Sequence, residues 1–394
     1  MVLGKSVTVR LRLRSWIAVV VFLAVAVLAP YFGSRLLADT NTAPPLRVQV
    51  TPGMEPTYSV IAGINGDVFP AIANYASLQD ADDRDFGTFT VTVSNSSDAP
   101  LKACISVEVP GWSDVELQNV TIGSGEERKL LFAPAFFPRL YENHEIAAAT
   151  ALVEVHDSSN RLLHSETVPV RLRSVDDMYW GPDFKYAPFI AAWVTPHDPK
   201  VEAVLTKAKE FMPGRRLPGY EEWKLPDQQR LMTLREARAI YRALQEMGVS
   251  YVKSSLTFGR NSNVSERVRL PEESLKGLSA NCIDGAVMYA SMFENLGMDP
   301  VVVLVPGHAY VGVREAENSD YYVYIETALT GRAPFDTAMK AADHGLSKIP
   351  EKQIIRIPIS KARLSGIYPM PLPEQDEHHF PAGDPSAEAA SGGR

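Results

Sequence analysis

Apolar and polar residues alternate along many short stretches of the chain between residues 51 and 175. In the stretch 89–94, Phe and Val alternate with Thr and Ser, a period of two that predicts a half-buried strand. Similar stretches, separated by turn-forming residues, lie at 105–109, 120–122, 129–132, 151–155 and 167–172. Many short strands at near-regular spacing are typical of an antiparallel sandwich. Residues 51–175 are therefore predicted to form an all-β, immunoglobulin-like domain.

A helical pattern follows in the second half of the chain. Apolar residues recur at three- and four-residue steps over 283–296 and stop at Gly297, which predicts an amphipathic helix with a glycine just past its end. Asn281 is the predicted N-cap, and Asp284 at the third helical position completes a loose capping box. Cys282 is therefore predicted to lie in the first turn of this helix.

Three strands are predicted after this helix. The apolar run 301–305 predicts a buried strand, and a Pro-Gly pair then turns the chain into a second strand that begins at His308. Alternation puts Tyr310 on the same face as His308. A third strand, 321–326, ends at Glu326, whose carboxylate can face the imidazole. If the strands pair in this order, a helix start, a strand start and a strand end meet at one rim.

The order Cys282, His308 and Glu326 is that of a thiol enzyme. The dipole and free amides at a helix start favour thiolate over thiol, an imidazole serves as the general base, and a carboxylate orients the imidazole. A single cysteine on an apolar helix is usually a small core residue, and a histidine after a turn is usually structural. Because order, flanking residues and caps agree, the three together predict a catalytic site.

The stretch from about residue 200 to 365 resembles the transglutaminase-like superfamily. That superfamily has a papain-like core with a Cys-x-Asp at a helix start, a His-Ala-aromatic strand and an Asp-Pro-Thr-like strand end. The resemblance implies an α+β catalytic domain in which Cys282 is the nucleophile, His308 the base and Glu326 the acidic member. It also implies supporting roles for four neighbours, Asn281, Asp284, Tyr310 and Thr327.

Three positions depart from the superfamily's pattern. Glu326 replaces the usual Asp, Ala280 stands where a Gly usually precedes the cysteine, and Tyr310 replaces the common Trp. Glu326 is one methylene longer than Asp, so its carboxylate reaches further towards the imidazole than the superfamily's Asp does.

An uncharged run of mostly Ala, Val, Leu and Phe covers residues 16–32. Four basic residues precede it and only Arg35 follows it closely, so the positive-inside rule predicts a cytoplasmic N-terminus. A cleaved signal peptide is the alternative, but neither Ala29 nor Ala38 gives a small-x-small cleavage site. The sequence predicts a bacterial single-pass protein of the inner (cytoplasmic) membrane, with its N-terminus inside and its bulk in the periplasm.

The 394 residues are too many for one ordinary core. The predicted organisation is a cytoplasmic N-terminus at 1–14, a transmembrane anchor at 15–33, a linker at 34–50, the sandwich at 51–175, a connecting strap rich in aromatics and Pro at 176–200, the transglutaminase-like domain at 201–368 and a disordered tail at 369–394.

Composition and the spacing of motifs exclude several classes of function and of metal site. The net charge of -8 and the lack of a basic stripe argue against a nucleic-acid partner. The two cysteines, Cys104 and Cys282, cannot form a disulfide framework or a thiolate zinc site. The acidic run 80–85 fails the calcium-loop pattern, and His144 lacks the second histidine of a zinc peptidase because Ala148 stands in its place. Neither a metal nor a cofactor is predicted.

The predicted function is that of a membrane-anchored, extracytoplasmic thiol enzyme. It would act on peptide or amide bonds by acyl transfer through a cysteine thioester, with hydrolysis favoured over cross-linking. The predicted partners are a protein or peptide substrate, the membrane through the N-terminal helix, and a possible protein bound by the sandwich. The alternative is a catalytically inactive binding or scaffolding protein that uses the immunoglobulin-like domain.

Overall fold

The computed structural model describes residues 56–82, 84–253 and 265–371. Two sheets form in the first half of the described chain. A three-stranded antiparallel sheet has the order β1 (Thr57–Ala62), β3 (Phe89–Ser94) and β6 (Glu127–Phe132). A five-stranded sheet has the order β2 (Asp67–Val68), β8 (Leu162–Leu172), β7 (Ala147–Asp157), β4 (Leu101–Glu108) and β5 (Glu116–Ile122). Helix α1 (Pro70–Ser77) lies in sequence between β2 and β3.

Alternation along the strands decides which side chains enter the core. Phe89, Val91 and Val93 of β3 are fully buried, while the intervening Thr and Ser side chains are partly exposed. Ile105 of β4 and Val153 of β7 are buried in the same hydrophobic cluster. The period of two thus gives each of these strands one inward apolar face.

The second half of the described chain carries most of the helices. They are α2 (Pro199–Ala208), α3 (Pro226–Glu246), α4 (Pro271–Lys276), α5 (Cys282–Asn295), α6 (Phe335–Ser347) and α7 (Ile359–Leu364). A four-stranded antiparallel sheet has the order β15 (Tyr322–Ile325), β14 (His308–Arg314), β13 (Pro300–Val305) and β16 (Ile355–Pro358). Two short pairs complete the sheets, β9 (Asp177–Tyr179) with β11 (Ser265–Arg267) and β10 (Ser250–Tyr251) with β12 (Ser279–Ala280).

The four-stranded sheet carries apolar side chains on both faces. Val302 and Leu304 of β13 belong to the cluster that contains the apolar residues of α5. Val303 of β13 belongs to a second cluster with Ala342 and Leu346 of α6. Burial on both faces explains why β13 reads as an uninterrupted apolar run rather than an alternating one.

The segment that connects the two halves of the described chain carries buried aromatic side chains. Trp180 and Trp193 are almost completely buried and share one hydrophobic cluster with strands of the first half and with α5. The Trp180 indole donates to Glu266 at 3.1 Å, next to the β9–β11 pairing. The core is therefore continuous through this connection, as an apolar segment of this composition requires.

The predicted fold class, a transmembrane helix followed by an all-β immunoglobulin-like sandwich and an α+β papain-like domain, is wrong. The chain is a mixed α/β structure with several small sheets of two to five strands. Within the region predicted to be all-β and antiparallel, α1 interrupts the strands and β2 pairs with β8 in parallel. Alternation identifies a strand but not its neighbours, because pairing depends on contacts distant in sequence.

The membrane prediction is also corrected. Residues 1–55, with the predicted cytoplasmic segment, anchor and linker, lie outside the described residues, as do residues 372–394 of the predicted tail. In the part of the chain that the structure describes, no helix combines the length and the apolar character needed to cross a membrane. The predicted single-pass anchoring in the inner membrane, with a periplasmic bulk, is therefore not supported by the described structure.

Stability is expected to depend on pH through Glu236 of α3, which is fully buried. Its Oε1 accepts from the Gly219 amide at 3.1 Å, and burial raises the pKa of Glu236 from 4.5 to about 8. The folded protein holds a proton there that the unfolded chain releases above its lower pKa. The free energy of unfolding should therefore fall as pH rises from 4.5 to about 8, by up to about 1.4 kcal/mol per pH unit.

Glu236→Gln keeps an acceptor for Gly219 and removes the titration. Denaturant unfolding of both proteins across this pH range isolates the contribution of Glu236 as the difference between the two curves. A difference that does not change with pH would show that Glu236 is not protonated in the folded state.

Candidate active site

The start of α5 is fixed by its cap. The Asn281 side chain accepts from the amides of Ile283 and Asp284, each at 2.9 Å, and the Asp284 carboxylate accepts from the Asn281 amide at 3.2 Å. The capping box predicted from the sequence is thus present in full. Cys282 is the first helical residue, and its side chain is completely buried.

The β13–β14 hairpin positions His308. Val305 pairs with His308, so the two-residue Pro-Gly turn lies directly between them, and Gly307 adopts the positive φ of 74° that this tight turn requires. His308 is therefore the first residue of β14, at the end of the sheet. Its side chain is one quarter exposed.

Glu326 follows the last residue of β15 and holds the His308 ring. Its Oε2 lies 2.7 Å from His308 Nε2, and its Oε1 accepts from the Ala328 amide at 3.0 Å. Glu326 is also the N-cap of a 3₁₀ turn at Thr327–Leu329. One oxygen is thus anchored to the backbone while the other bonds the imidazole, which fixes the orientation of the ring.

The Cys282 thiol lies near enough to the His308 ring to influence its pKa. Burial of the ring, the largest single influence, lowers its pKa. The hydrogen bonds to Cys282 and Glu326, with the charges of both groups, act in the opposite direction and raise the pKa of His308 to about 10. The ring is therefore protonated at neutral pH. Because Glu326 occupies Nε2, Nδ1 remains for the sulfur.

A buried ion pair between Arg269 and Asp284 also supports the capped start of α5. Asp284 is almost fully buried and accepts from the Arg269 amide at 2.9 Å and from the Arg269 side chain at 2.8 and 2.9 Å. The same carboxylate closes the capping box at Asn281. Arg269 thereby neutralises the one acidic side chain in the first turn that carries Cys282.

Thr327 joins the helix start to the strand end. Its hydroxyl donates to the Cys282 carbonyl at 3.4 Å, and a Cβ at position 285 would lie 2.7 Å from the same hydroxyl oxygen. Glycine is therefore needed at Gly285 for close approach of α5 to the segment that carries Glu326. This packing sets the distance between the thiol and the carboxylate.

Two tyrosines flank the thiol. The Tyr310 ring packs edge-on against His308 with centroids 4.7 Å apart. Burial first, and then the charges of Glu326 and Cys282, raises the pKa of Tyr310. Burial, followed by the charges of Cys282 and Glu326, also raises the pKa of Tyr251. Of Cys282, His308 and Glu326, His308 has the most exposed side chain.

The structure brings together Cys282, His308 and Glu326, each from a different element. The four predicted supporting residues, Asn281, Asp284, Tyr310 and Thr327, contact these three or the helix start. Sequence analysis missed Arg269 and Tyr251. Neither has a sequence signal, because their proximity to the site depends on tertiary packing. Gly285, directly after Cys-Ile-Asp, is a signal for close packing that could have been used.

Two of the backbone amides at the start of α5 are already occupied and cannot hold a substrate oxyanion. The amides of Ile283 and Asp284 both donate to the Asn281 side chain. The amide of Cys282 is not among those that Asn281 caps. A substrate oxygen at this helix start would therefore depend on the Cys282 amide.

No protein-family model matches the chain, and no curated protein matches it. Among solved structures, a FixG-related protein from Vibrio parahaemolyticus is 17% identical with a TM-score of 0.21, and the match covers 32% of this chain and 98% of that one. An exo-chitosanase from Amycolatopsis orientalis is 14% identical with a TM-score of 0.17, covering 24% of this chain and 11% of that one. TM-scores this low carry no argument about fold or function.

Arg269→Ala should destabilise the protein strongly, because it leaves the Asp284 carboxylate buried without its cation. The expected loss is roughly 3 kcal/mol in the free energy of unfolding, measured by denaturant titration. Arg238→Ala is the matched control. Arg238 makes a two-point ion pair with Asp336 in which both side chains are about half exposed, so its loss should cost about 1 kcal/mol or less. Equal losses in the two variants would contradict a special role for the buried pair.

Proposed function

We propose that this protein is a cysteine-dependent acyl-transfer enzyme of the transglutaminase-like type, acting on peptide or amide bonds. Cys282 is the nucleophile, His308 the general acid and base, and Glu326 the orienting group. The observation that carries the proposal is the 2.7 Å contact of His308 Nε2 with Glu326 Oε2, on a ring whose pKa is also raised by the neighbouring Cys282 thiol. Three separate chain segments supply these groups, which is the arrangement that nucleophilic catalysis needs.

Each group has one chemical task. The Cys282 sulfur attacks the amide carbonyl carbon, and a bond forms between sulfur and carbon. The carbon–nitrogen bond breaks as the Nδ1 proton of His308 passes to the leaving nitrogen, which departs as an amine. Water then gives a proton to His308 and attacks the thioester, and the acid leaves with the thiolate restored. An amine in place of water would give a new amide.

The charges around the sulfur fit the proposed chemistry. A His308 pKa of about 10 means that the imidazolium persists at neutral pH between the sulfur and the Glu326 carboxylate. The helix start adds its dipole to that positive charge. The Cys282 amide is the donor best placed for the developing oxyanion, because Asn281 already occupies the next two amides. Hydrolysis is favoured over cross-linking unless the bound substrate excludes water.

A second candidate function is a binding or scaffolding protein with an inactive thiol site. The complete burial of Cys282 favours it, because a substrate carbonyl has to reach the sulfur. Under the enzyme proposal, substrate approaches along the exposed edge of His308 and the side chains around the thiol move aside. Reactivity of the thiol in the native protein separates the two candidates.

Cys282 should react with iodoacetamide at mildly acidic pH, whereas Cys104, the less deeply buried cysteine, should not. His308→Ala should reduce the labelling rate of Cys282 to that of Cys104, and Glu326→Gln should reduce it less, because the ring remains but is misoriented. The measurement is labelling rate against pH, with each cysteine read by peptide mass.

His156→Ala is the matched control for the loss of an imidazole. His156 is the cross-strand neighbour of Cys104, so its removal should leave labelling of Cys282 unchanged. The ultraviolet absorbance of the thiolate, taken as the difference between wild type and Cys282→Ser, reports ionisation without requiring access. Absence of thiolate below neutral pH would contradict the enzyme proposal. Thiolate without labelling would favour the inactive site.

A further inference from the structure

Three side chains with metal-binding atoms meet at the junction between the two halves of the molecule. His144 precedes β7, Asp176 precedes β9, and Glu273 lies on α4. One ligand atom from each residue lies within 4.8 Å of the other two. His144 Nδ1 is 3.7 Å from Asp176 Oδ2 and 3.5 Å from Glu273 Oε1.

The two carboxylates of this cluster are incompletely paired. Asp176 is almost fully buried, yet its Oδ1 has no hydrogen-bond partner among the described residues, and neither has the buried Oε2 of Glu273. The Arg267 side chain donates only to Asp176 Oδ2, at 2.8 and 2.9 Å. Buried carboxylate oxygens are normally satisfied, so the Asp176 and Glu273 carboxylates need either a cation beside them or a proton shared between the two acids.

We propose that His144, Asp176 and Glu273 bind a divalent transition-metal ion of the zinc class. Zinc bonds of about 2.0–2.2 Å in a tetrahedral site put neighbouring ligand atoms about 3.4 Å apart. His144 Nδ1 lies close to this distance from Asp176 Oδ2 and Glu273 Oε1, which would be the ligand oxygens. The imidazole nitrogen and two carboxylate oxygens are ligands that zinc accepts. Half of the His144 side chain is exposed, so the fourth coordination position of the metal ion would be open to water.

The competing occupant is a proton shared by the two acids. Burial, followed by the charge and hydrogen bonding of Asp176, raises the pKa of Glu273, while His144 and Arg267 act against this. A metal ion would take the place of that proton between the two acids. Arg267 repels a cation, and Arg267→Ala should strengthen metal binding.

A metal at this position would link three segments that are distant in sequence. Glu273 lies on the helix that follows Arg269, the partner of the buried Asp284 at the start of α5. The ion would thus stabilise the junction beside the candidate active site. The proposal stands independently of the proposed function, because it concerns residues outside the thiol site.

Binding of Co²⁺ and Zn²⁺ to the full chain, first freed of metal with a chelator, tests the proposal. Wild type should bind one ion per chain and unfold at a higher temperature with it. His144→Ala and Glu273→Gln should each weaken binding by at least about tenfold. His164→Ala is the matched control, because His164 faces Glu166 at 3.4 Å and no third metal-binding side chain joins this pair among the described residues.

Two rival metal binders are controlled in the same experiment. Both histidines of the pair 378–379 are replaced by Ala in every protein tested. Cobalt bound by Cys282 would show an intense thiolate charge-transfer band, which a nitrogen and oxygen site lacks. No binding by wild type, equal binding by His144→Ala, equal loss in His164→Ala, or a thiolate band on the bound ion would each overturn the proposal.

Discussion

The site depends on one carboxylate that is held at both oxygens. Glu326 Oε1 is fixed by the Ala328 amide, so Oε2 has a defined position against His308 Nε2. Because that nitrogen is occupied, the other ring nitrogen is left for the sulfur of Cys282. The extra methylene of Glu relative to Asp is accommodated by the 3₁₀ turn that Glu326 caps. A carboxylate bonded only to the imidazole would leave the ring free to rotate.

The thiol depends on a second constraint, the buried carboxylate of Asp284 in the capping box of α5. Asp284 closes the capping box and is neutralised by Arg269, which keeps a carboxylate in the first turn from repelling a thiolate at Cys282. Thr327 and Gly285 then bring this helix start against the segment that follows Glu326. The positions of sulfur, imidazole and carboxylate are thus fixed by backbone contacts as well as by their mutual bonds.

Local patterns could be predicted from the sequence, and long-range ones could not. The capped start of α5 and the hairpin before His308 were predicted because caps and tight turns have sequence signals within four residues. The fold class was wrong because alternation does not specify sheet neighbours or the short helix α1. Arg269 and the cluster around Asp176 escaped prediction for the same reason, since their residues come from separate segments. The sequence pattern of a zinc peptidase was absent at His144, but ligands from three segments leave no such pattern.

The most direct test of the account is the protonation of His308, followed by nuclear magnetic resonance of its ring across pH. The account predicts that the ring stays protonated through neutral pH and titrates near 10. Glu326→Gln and Cys282→Ser should each lower that value, because each removes a negative charge that favours the imidazolium. A ring that titrates near its ordinary value of about 6.5 in the wild type, unchanged in both variants, would contradict the thiolate–imidazolium pair on which the proposed chemistry rests.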